Sequence, residues 1–419
     1  MPPAKTQSSK PLSKGDEMEM RIARLWFWEG YYSRCGIDLR RHYHPEPLIV
    51  TDLDLVAYDI GPSLQASQTI GEVKTGTGRS APKPLDRIIW LRGLKELVRA
   101  DHAELVSSNA PSQRARKLAT TIGVSAQSQD DVNRREELAD VNSVEDSGAH
   151  GTRAFLERDW VHKHCSSEQN LERAFWFLRS EVWFHDEVTA CKRLIGLYRQ
   201  LGSLWTGEVE DEDSRALRWL LAETVSVFTL NLVRVASEAI RTAPELLAAE
   251  LGERLSAGLA SADVMRRIAV DVDKFVGGIL SAAKAPPNVA TDAMGALHPE
   301  PPEWTGQFTE LVSRLAATPE KARILPRQMD VLVHERIVWQ REVNLVPYDR
   351  LLLGDPETGR LVRLVAAFLR GLATHVEVVD RALSTAMKAA GQVHAPKSPI
   401  DQSNEGSEAP VQPPLLQPG

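Results

Sequence analysis

At 419 residues, 42% of them apolar and 26% charged, the chain can bury two sizeable cores, and its formal net charge is −7. No apolar run is long enough to span a bilayer, and the opening MPPAKTQSSKPLSKGDE lacks the apolar segment of a signal peptide, so no membrane partner is expected. Cys35, Cys165 and Cys191 form no C-x-x-C pair, which fits reduced thiols and a cytoplasmic protein.

Residues 1–20 are rich in Pro, Ser and Lys and read as a disordered arm. Met18 to Arg34 reads as a helix, with Ile22, Leu25, Trp26 and Glu29 at helical spacing and Gly36 as its stop. The aromatic group Trp26, Phe27, Trp28, Tyr31 and Tyr32 is expected in a core rather than as a base-stacking platform. Ile37 to Tyr43 alternates apolar residues with Asp38, Arg40 and His42, as a half-solvated strand does, and His42 and His44 read as exposed strand-end histidines. Leu48 to Ile60 and Thr69 to Val73, dominated by Leu, Ile, Val and Tyr, read as two more strands around a Gly-Pro-Ser turn.

That strand pair carries the chemistry. Asp52 and Asp54 are two apart, as are Glu72 and Lys74, and residues two apart on a strand point to one face. Pairing the strands would gather three carboxylates and one ammonium in a small patch, and such a patch needs a compensating cation. Mg²⁺ fits, with Mn²⁺ as a substitute, because a hard divalent ion takes oxygen ligands and keeps several waters. It would polarise a phosphodiester and lower the pKa of a bound water, while Lys74 orients that water or offsets charge building on the phosphorus-bound oxygens. Standing alone, an E-x-K is ordinarily one solvated strand face, so its context decides.

Downstream, Thr75-Gly76-Thr77-Gly78-Arg79 is a loop whose glycines permit close backbone approach to a phosphate. Leu85 to Ala100 reads as a packed amphipathic helix with a basic face, Ala103 to Ser107 as a strand, Ser112 to Ile122 as a helix capped by Ser112, and Val124 to Ala126 as an edge strand.

Helix with Glu29, strand pair with Asp54, then Glu72-Val73-Lys74, then helix, strand and helix: this order resembles the PD-(D/E)XK nuclease superfamily, in the branch of Mrr-type restriction endonucleases and Holliday-junction resolvases. The resemblance covers Arg21 to Gln127 and lacks the family's Pro before the Asp. It implies Asp54, Glu72 and Lys74 as catalytic residues, Asp54 and Glu72 as metal ligands, and Glu29 and Asp52 as further metal-ligand candidates. By the same resemblance Arg79, Lys83, Gln113 and Arg116 are candidates for contact with nucleic acid.

Charge is distributed unevenly: 18 Lys and Arg face 14 Asp and Glu up to Gln127, against 32 and 43 beyond it. The half with the candidate site is the basic half, which permits binding to phosphates. Residues 128–153 shift to Gln, Asp, Asn, Glu, Ser and Gly and read as a linker. From Ala154 to Ala390 apolar residues recur three and four apart, in segments Leu171–Leu204, Ser214–Thr242, Pro244–Leu259, Ala262–Ala285, Thr305–Ala317, Arg327–Asn344 and Gly359–Ala390. They suggest an irregular bundle broken at Pro286-Pro287 and at Pro299 to Pro302. His162, His164, Cys165, His185 and Cys191 could in principle ligate zinc, but their spacing favours scattered helix-face residues. Trp176, Trp183, Trp205 and Trp219 read as core, and residues 391–419 as a disordered tail.

The expected fold class is thus α+β multidomain: a restriction-endonuclease-like α/β domain over 21–127 and an all-helical domain over 154–390. The expected activity is Mg²⁺-dependent DNA endonuclease, with RNA left open as substrate, in a prokaryotic anti-phage or anti-plasmid effector regulated by its helical part through a protein partner or self-association. The alternative is a non-catalytic nuclease-like subunit that binds nucleic acid or supports assembly.

Overall fold

The computed structural model describes residues 12–43, 46–76, 83–141, 149–205, 211–257, 262–284, 300–343, 348–373 and 377–383. His44, Arg79, residues 1–11 of the arm, the tail from 391 and the last turns of the final expected helix lie outside them.

Helix α1, Lys14–Glu29, begins earlier than expected because Ser13 and Asp16 form a reciprocal capping box, and Gly30 at φ +118° ends it. Part of the expected arm is therefore helix. The chain turns at Gly30 rather than Gly36, and the Tyr-rich run beyond becomes β1, Tyr32–Tyr43. Strand β2, Glu46–Ile60, pairs antiparallel with β1 and with β3, Ala66–Lys74. Helix α2, Pro84–Val98, crosses to β4, His102–Ser107, parallel to β3. Helix α3, Gln113–Thr121, is capped by Ser112 and leads to β5, Ser125–Ser128, parallel to β4. The result is a five-stranded mixed sheet in the order β1-β2-β3-β4-β5.

The stretch read as a linker opens instead with α4, Gln129–Leu138, under a second capping box formed by Ser128 and Asp131. Its polar composition hid one apolar anchor, the fully buried Val132. Charge does the rest. Arg21 binds Glu136 and Asn133, and Arg135 joins Glu29, Glu104 and Gln127.

Beyond it come α5 (Thr152–Cys165), α6 (Gln169–Arg179), α7 (Glu187–Leu204), α8 (Glu212–Ala239), α9 (Pro244–Ser256) and α10 (Ala262–Ala282). Then follow α11 (Thr305–Ala316), α12 (Pro319–Ala322), α13 (Leu325–Val333) and α14 (Pro356–Leu372). The expected single helix Leu171–Leu204 is two, broken at Ser180 by a 3₁₀ turn, Glu181–Phe184, and restarted by the Asp186 cap. Likewise α13 gives way to a π-helical turn, His334–Val338.

Helix α8 is the axis of this part. Apolar almost all round, it packs against α7, α11 and α13 and is buried from Ala216 through Ser237 at nearly every position. Among the described residues it is the one helix long and apolar enough to cross a membrane, and 89% of its most apolar window is buried inside the fold. Trp183 and Trp219 lie in the core, while Trp176 and Trp205 are partly buried against it.

Candidate active site

Strands β2 and β3 pair in register from Ile60–Ala66 to Leu55–Gly71. Gly71 allows the close packing at that point, since a Cβ would come within 2.8 Å of Trp26 and 2.9 Å of Leu55. One residue further, a side chain replaces the strand backbone as partner: Asp54 Oδ2 accepts the Val73 N–H at 2.6 Å. Lys74, the last residue of β3, brings its Nζ to 2.7 Å from Glu72 Oε1, 3.3 Å from Asp54 Oδ2 and 2.9 Å from the Val73 carbonyl. Arg87 of α2 stands 3.7 Å from Glu72 Oε1.

Glu19 of α1 completes the acidic group. Burial, then Asp54, push its carboxyl up to about 8, against the pull of Arg158 and Lys74. Burial also lifts Asp54 and Glu72 above the usual carboxylate range, although Lys74 draws both down. For Lys74 burial acts the other way, but Asp54 and Glu72 outweigh it and hold the ammonium above its ordinary value. Three carboxyl groups are thus held up together, chiefly by burial that Lys74 offsets only in part.

The helical part reaches this patch through β1. The Cys35 carbonyl accepts from Arg158 Nη1 at 2.9 Å and from Arg179, and the Gly36 carbonyl accepts from Arg179 at 2.5 Å. Gly36, at φ +64°, falls between the pairs Cys35–Leu55 and Ile37–Leu53, level with Asp54. A Cβ there would lie 3.1 Å from Arg158 Nη1.

Two residues back, Arg34 is buried in a second charged cluster. Its guanidinium binds Glu223 of α8 at 2.9 and 3.0 Å, Ser226 at 3.0 Å and Asp330 of α13 at 2.5 Å. Burial opposes both carboxylates, but Arg34 overcomes it and holds Glu223 below, and Asp330 well below, the ordinary range. Burial would depress His334, yet Asp330 raises it on balance. Glu223, Asp330 and His334 are the one trio of candidate ligands, among the described residues, whose atoms all lie within 4.8 Å of one another. The spacing would suit a metal, but Arg34 already supplies the cation. Asp54, Glu72 and Glu19 are not gathered that tightly.

Several expected residues are placed elsewhere. Glu29 is not at the cluster: roughly three helical turns beyond Glu19, it is held by Arg135 at 2.6 and 2.9 Å. Asp52 is exposed and pairs with Asp38 across β1–β2, so it bears on Asp54 only by like charge. Lys83, at the N-cap of α2, and Gln113, at the start of α3, are exposed, while Arg116 is engaged by Asp131 at 2.7 Å. The histidines and cysteines of the helical part do not converge. His162 stacks on Phe175, His164 binds Asp213 at 2.7 Å, His185 meets Arg193 at 2.8 Å, and Cys165 and Cys191 are buried.

Sequence reasoning missed Glu19 and the Arg34 cluster. Glu19 left a signal, an acid three residues before Ile22 and seven before Trp26 on the stripe that α1 buries. Arg34 leaves none, because the expected helix Met18 to Arg34 ends on it. No family model, no curated protein and no solved structure matches the chain.

Proposed function

We propose that the chain is a metal-dependent nuclease that hydrolyses DNA phosphodiester bonds at Asp54, Glu72 and Lys74. The observation that carries this reading is the set of three oxygens, Asp54 Oδ2, Glu72 Oε1 and Val73 O, around the Lys74 ammonium where β2 and β3 end their pairing. The donors are all hard oxygens, and burial holds the carboxyl groups above their ordinary range in spite of Lys74, so the residues fit a hard divalent ion. Bound there, Mg²⁺ would supply charge neutralisation, a polarised phosphodiester and a more acidic water. Asp54 and Glu72 are its ligands, with Glu19 in the supporting place that the resemblance to PD-(D/E)XK nucleases gave to Glu29. Lys74 then donates its hydrogen bonds to the phosphate oxygens and offsets the charge that develops on them. Arg87 keeps the Glu72 carboxylate oriented from the α2 side.

On architecture alone, a nuclease-like sheet joined to a helical part, we place the protein among prokaryotic effectors against phage or plasmid, regulated through its helices. One observation favours the second reading, a non-catalytic nucleic-acid-binding or assembly subunit: the Lys74 ammonium already bridges both carboxylates. Cleavage of supercoiled plasmid, linear duplex, single-stranded DNA and RNA in Mg²⁺ or Mn²⁺ separates them. Cutting by the natural chain that Asp54→Asn and Lys74→Ala each abolish is the expected result. DNA binding without cutting on every substrate would favour the subunit.

A further inference from the structure

Helix α10, Ala262–Ala282, lies on the outside of the helical part: no residue of it with a described side chain is buried, and its contacts run chiefly to α9. Its outer face is nevertheless apolar. Ile268, Phe275 and Ile279 are 48, 70 and 52% exposed, and the half-buried Val272 lies on the same stripe. Steps of four, three and four residues separate them, the spacing of a coiled-coil seam, and the sequence carries that spacing on to Met265 and Ala282. A helix draws most of its stability from burying its apolar face, so a seam left in water calls for a partner.

Charge narrows what the partner is. Residues 262–282 hold three Asp against two Arg and one Lys, without the basic excess that lipid headgroups or nucleic acid require. Asp271, at the flank of the seam, has Lys274 at 4.0 Å, so no unpaired charge meets an approaching apolar face. Gly278 flanks it too, where a Cβ would meet nothing within 4 Å and another backbone can come close.

Read in opposite directions, the seam matches itself. With Ile268 level with Ile279 of a second copy, Val272 falls level with Phe275, and each larger residue of the central layers meets a smaller one. The same register sets Arg267 beside the last turn of the second copy, the negative end of its dipole, where no basic residue stands. A parallel pair would instead stack Phe275 on Phe275 and align the two dipoles.

We infer that α10 is a self-association surface: two copies of the chain pair their α10 helices antiparallel through Ile268, Val272, Phe275 and Ile279, about a twofold axis between Asp273 and Lys274. Such an interface is isologous and closes on itself. It uses no residue of the Asp54 cluster and stands whether or not the sheet cleaves DNA. The 21-residue helix is about 31 Å long, and one helix pair of that length belongs at the small end of specific interfaces.

The test is sedimentation equilibrium of the full chain over about 1 to 100 μM. A dimer with a dissociation constant on the order of 10 μM is expected. Phe275→Asp should weaken it at least about 100-fold, since each dimer loses two buried rings and gains two buried carboxylates. Cysteine variants read the orientation: under mild oxidation Ile268→Cys mixed with Ile279→Cys should cross-link, and neither alone should exceed the natural chain. Cross-links from each variant alone would overturn the antiparallel pairing. A natural chain that stays monomeric throughout, or a dimer that Phe275→Asp leaves intact, overturns the assignment. Thermal melts of dilute Phe275→Asp keep folding apart from association. A melt lowered in the monomer would mean that another segment of this chain covers the stripe, and would overturn it as well.

Discussion

Two charged clusters share one face of β2, since Arg34 pairs with Val56 and Asp54 lies two residues before it, yet their electrostatics are opposite. Around Arg34 the carboxylates are fully buried and pulled below their ordinary range, because a guanidinium and a raised histidine more than meet their charge. Around Asp54 the carboxyl groups are pushed up, because burial penalises their charge by more than Lys74 offsets. A closed network holds parts together. An underfilled one, opening where two strands part, is suited to take a cation and a substrate.

The sharpest way to break that contrast is to remove one charge from each side. Arg34→Ala strands two buried carboxylates and should cost about 3–5 kcal/mol of unfolding free energy. Glu72→Gln removes a charge that the fold disfavours, and should shift stability by less than about 1 kcal/mol while ending metal-dependent cleavage. Urea denaturation of both variants measures the difference. Equal losses would mean that the two clusters do the same structural job.

The clusters should also give stability opposite slopes with pH. A carboxyl raised in the folded state binds its proton more tightly there, so stability is full below the ordinary value and is lost as pH rises through the folded one. For Glu19 that window runs from 4.5 to about 8. Glu223 and Asp330 are depressed, so their contribution is present above the ordinary carboxylate range and disappears as pH falls below it. Urea midpoints measured from pH 5 to 8.5 should therefore decline, and Glu19→Gln or added Mg²⁺ should flatten the decline. A slope unchanged in Glu19→Gln would remove that residue from the cluster.

Asp54, Glu72 and Lys74 were legible because strand alternation is short-range: spacing of two, a turn and a second strand suffice to bring them together. Glu19 was harder, because the helix begins at Lys14, ahead of the expected Met18, and the resemblance points to Glu29 as the helix carboxylate instead. The Arg34 cluster was not legible at all, since it joins residues 189 and 296 positions apart, and no local pattern encodes such a meeting. Gly36 ties the two lessons together. Gly36→Ala forces a Cβ against Arg158 at φ +64° and should cost about 1–2 kcal/mol. Because the displaced Arg158 also bears on Glu19, the same variant should change the Mg²⁺ concentration needed for half-maximal cleavage. Loss of stability with that midpoint unchanged would show that the helices grip β1 without reaching the site.

The smallest effect tests a third set of charges, the one that ties α4 to the sheet. If the segment after Gln127 were a tether, Ser128 would be free to change; as the cap of α4 its hydroxyl accepts from the Asp131 N–H while Asp131 returns the bond. Ser128→Ala should then cost about 1 kcal/mol. The loss propagates through Arg135, whose bonds to Glu29 and Glu104 depend on where α4 stands, and not through the Asp54 cluster. Cleavage should be unchanged and hydrogen exchange over 129–138 faster. An unaltered exchange rate would return those residues to the role of linker, and with it the Glu29 carboxylate that Arg135 now occupies.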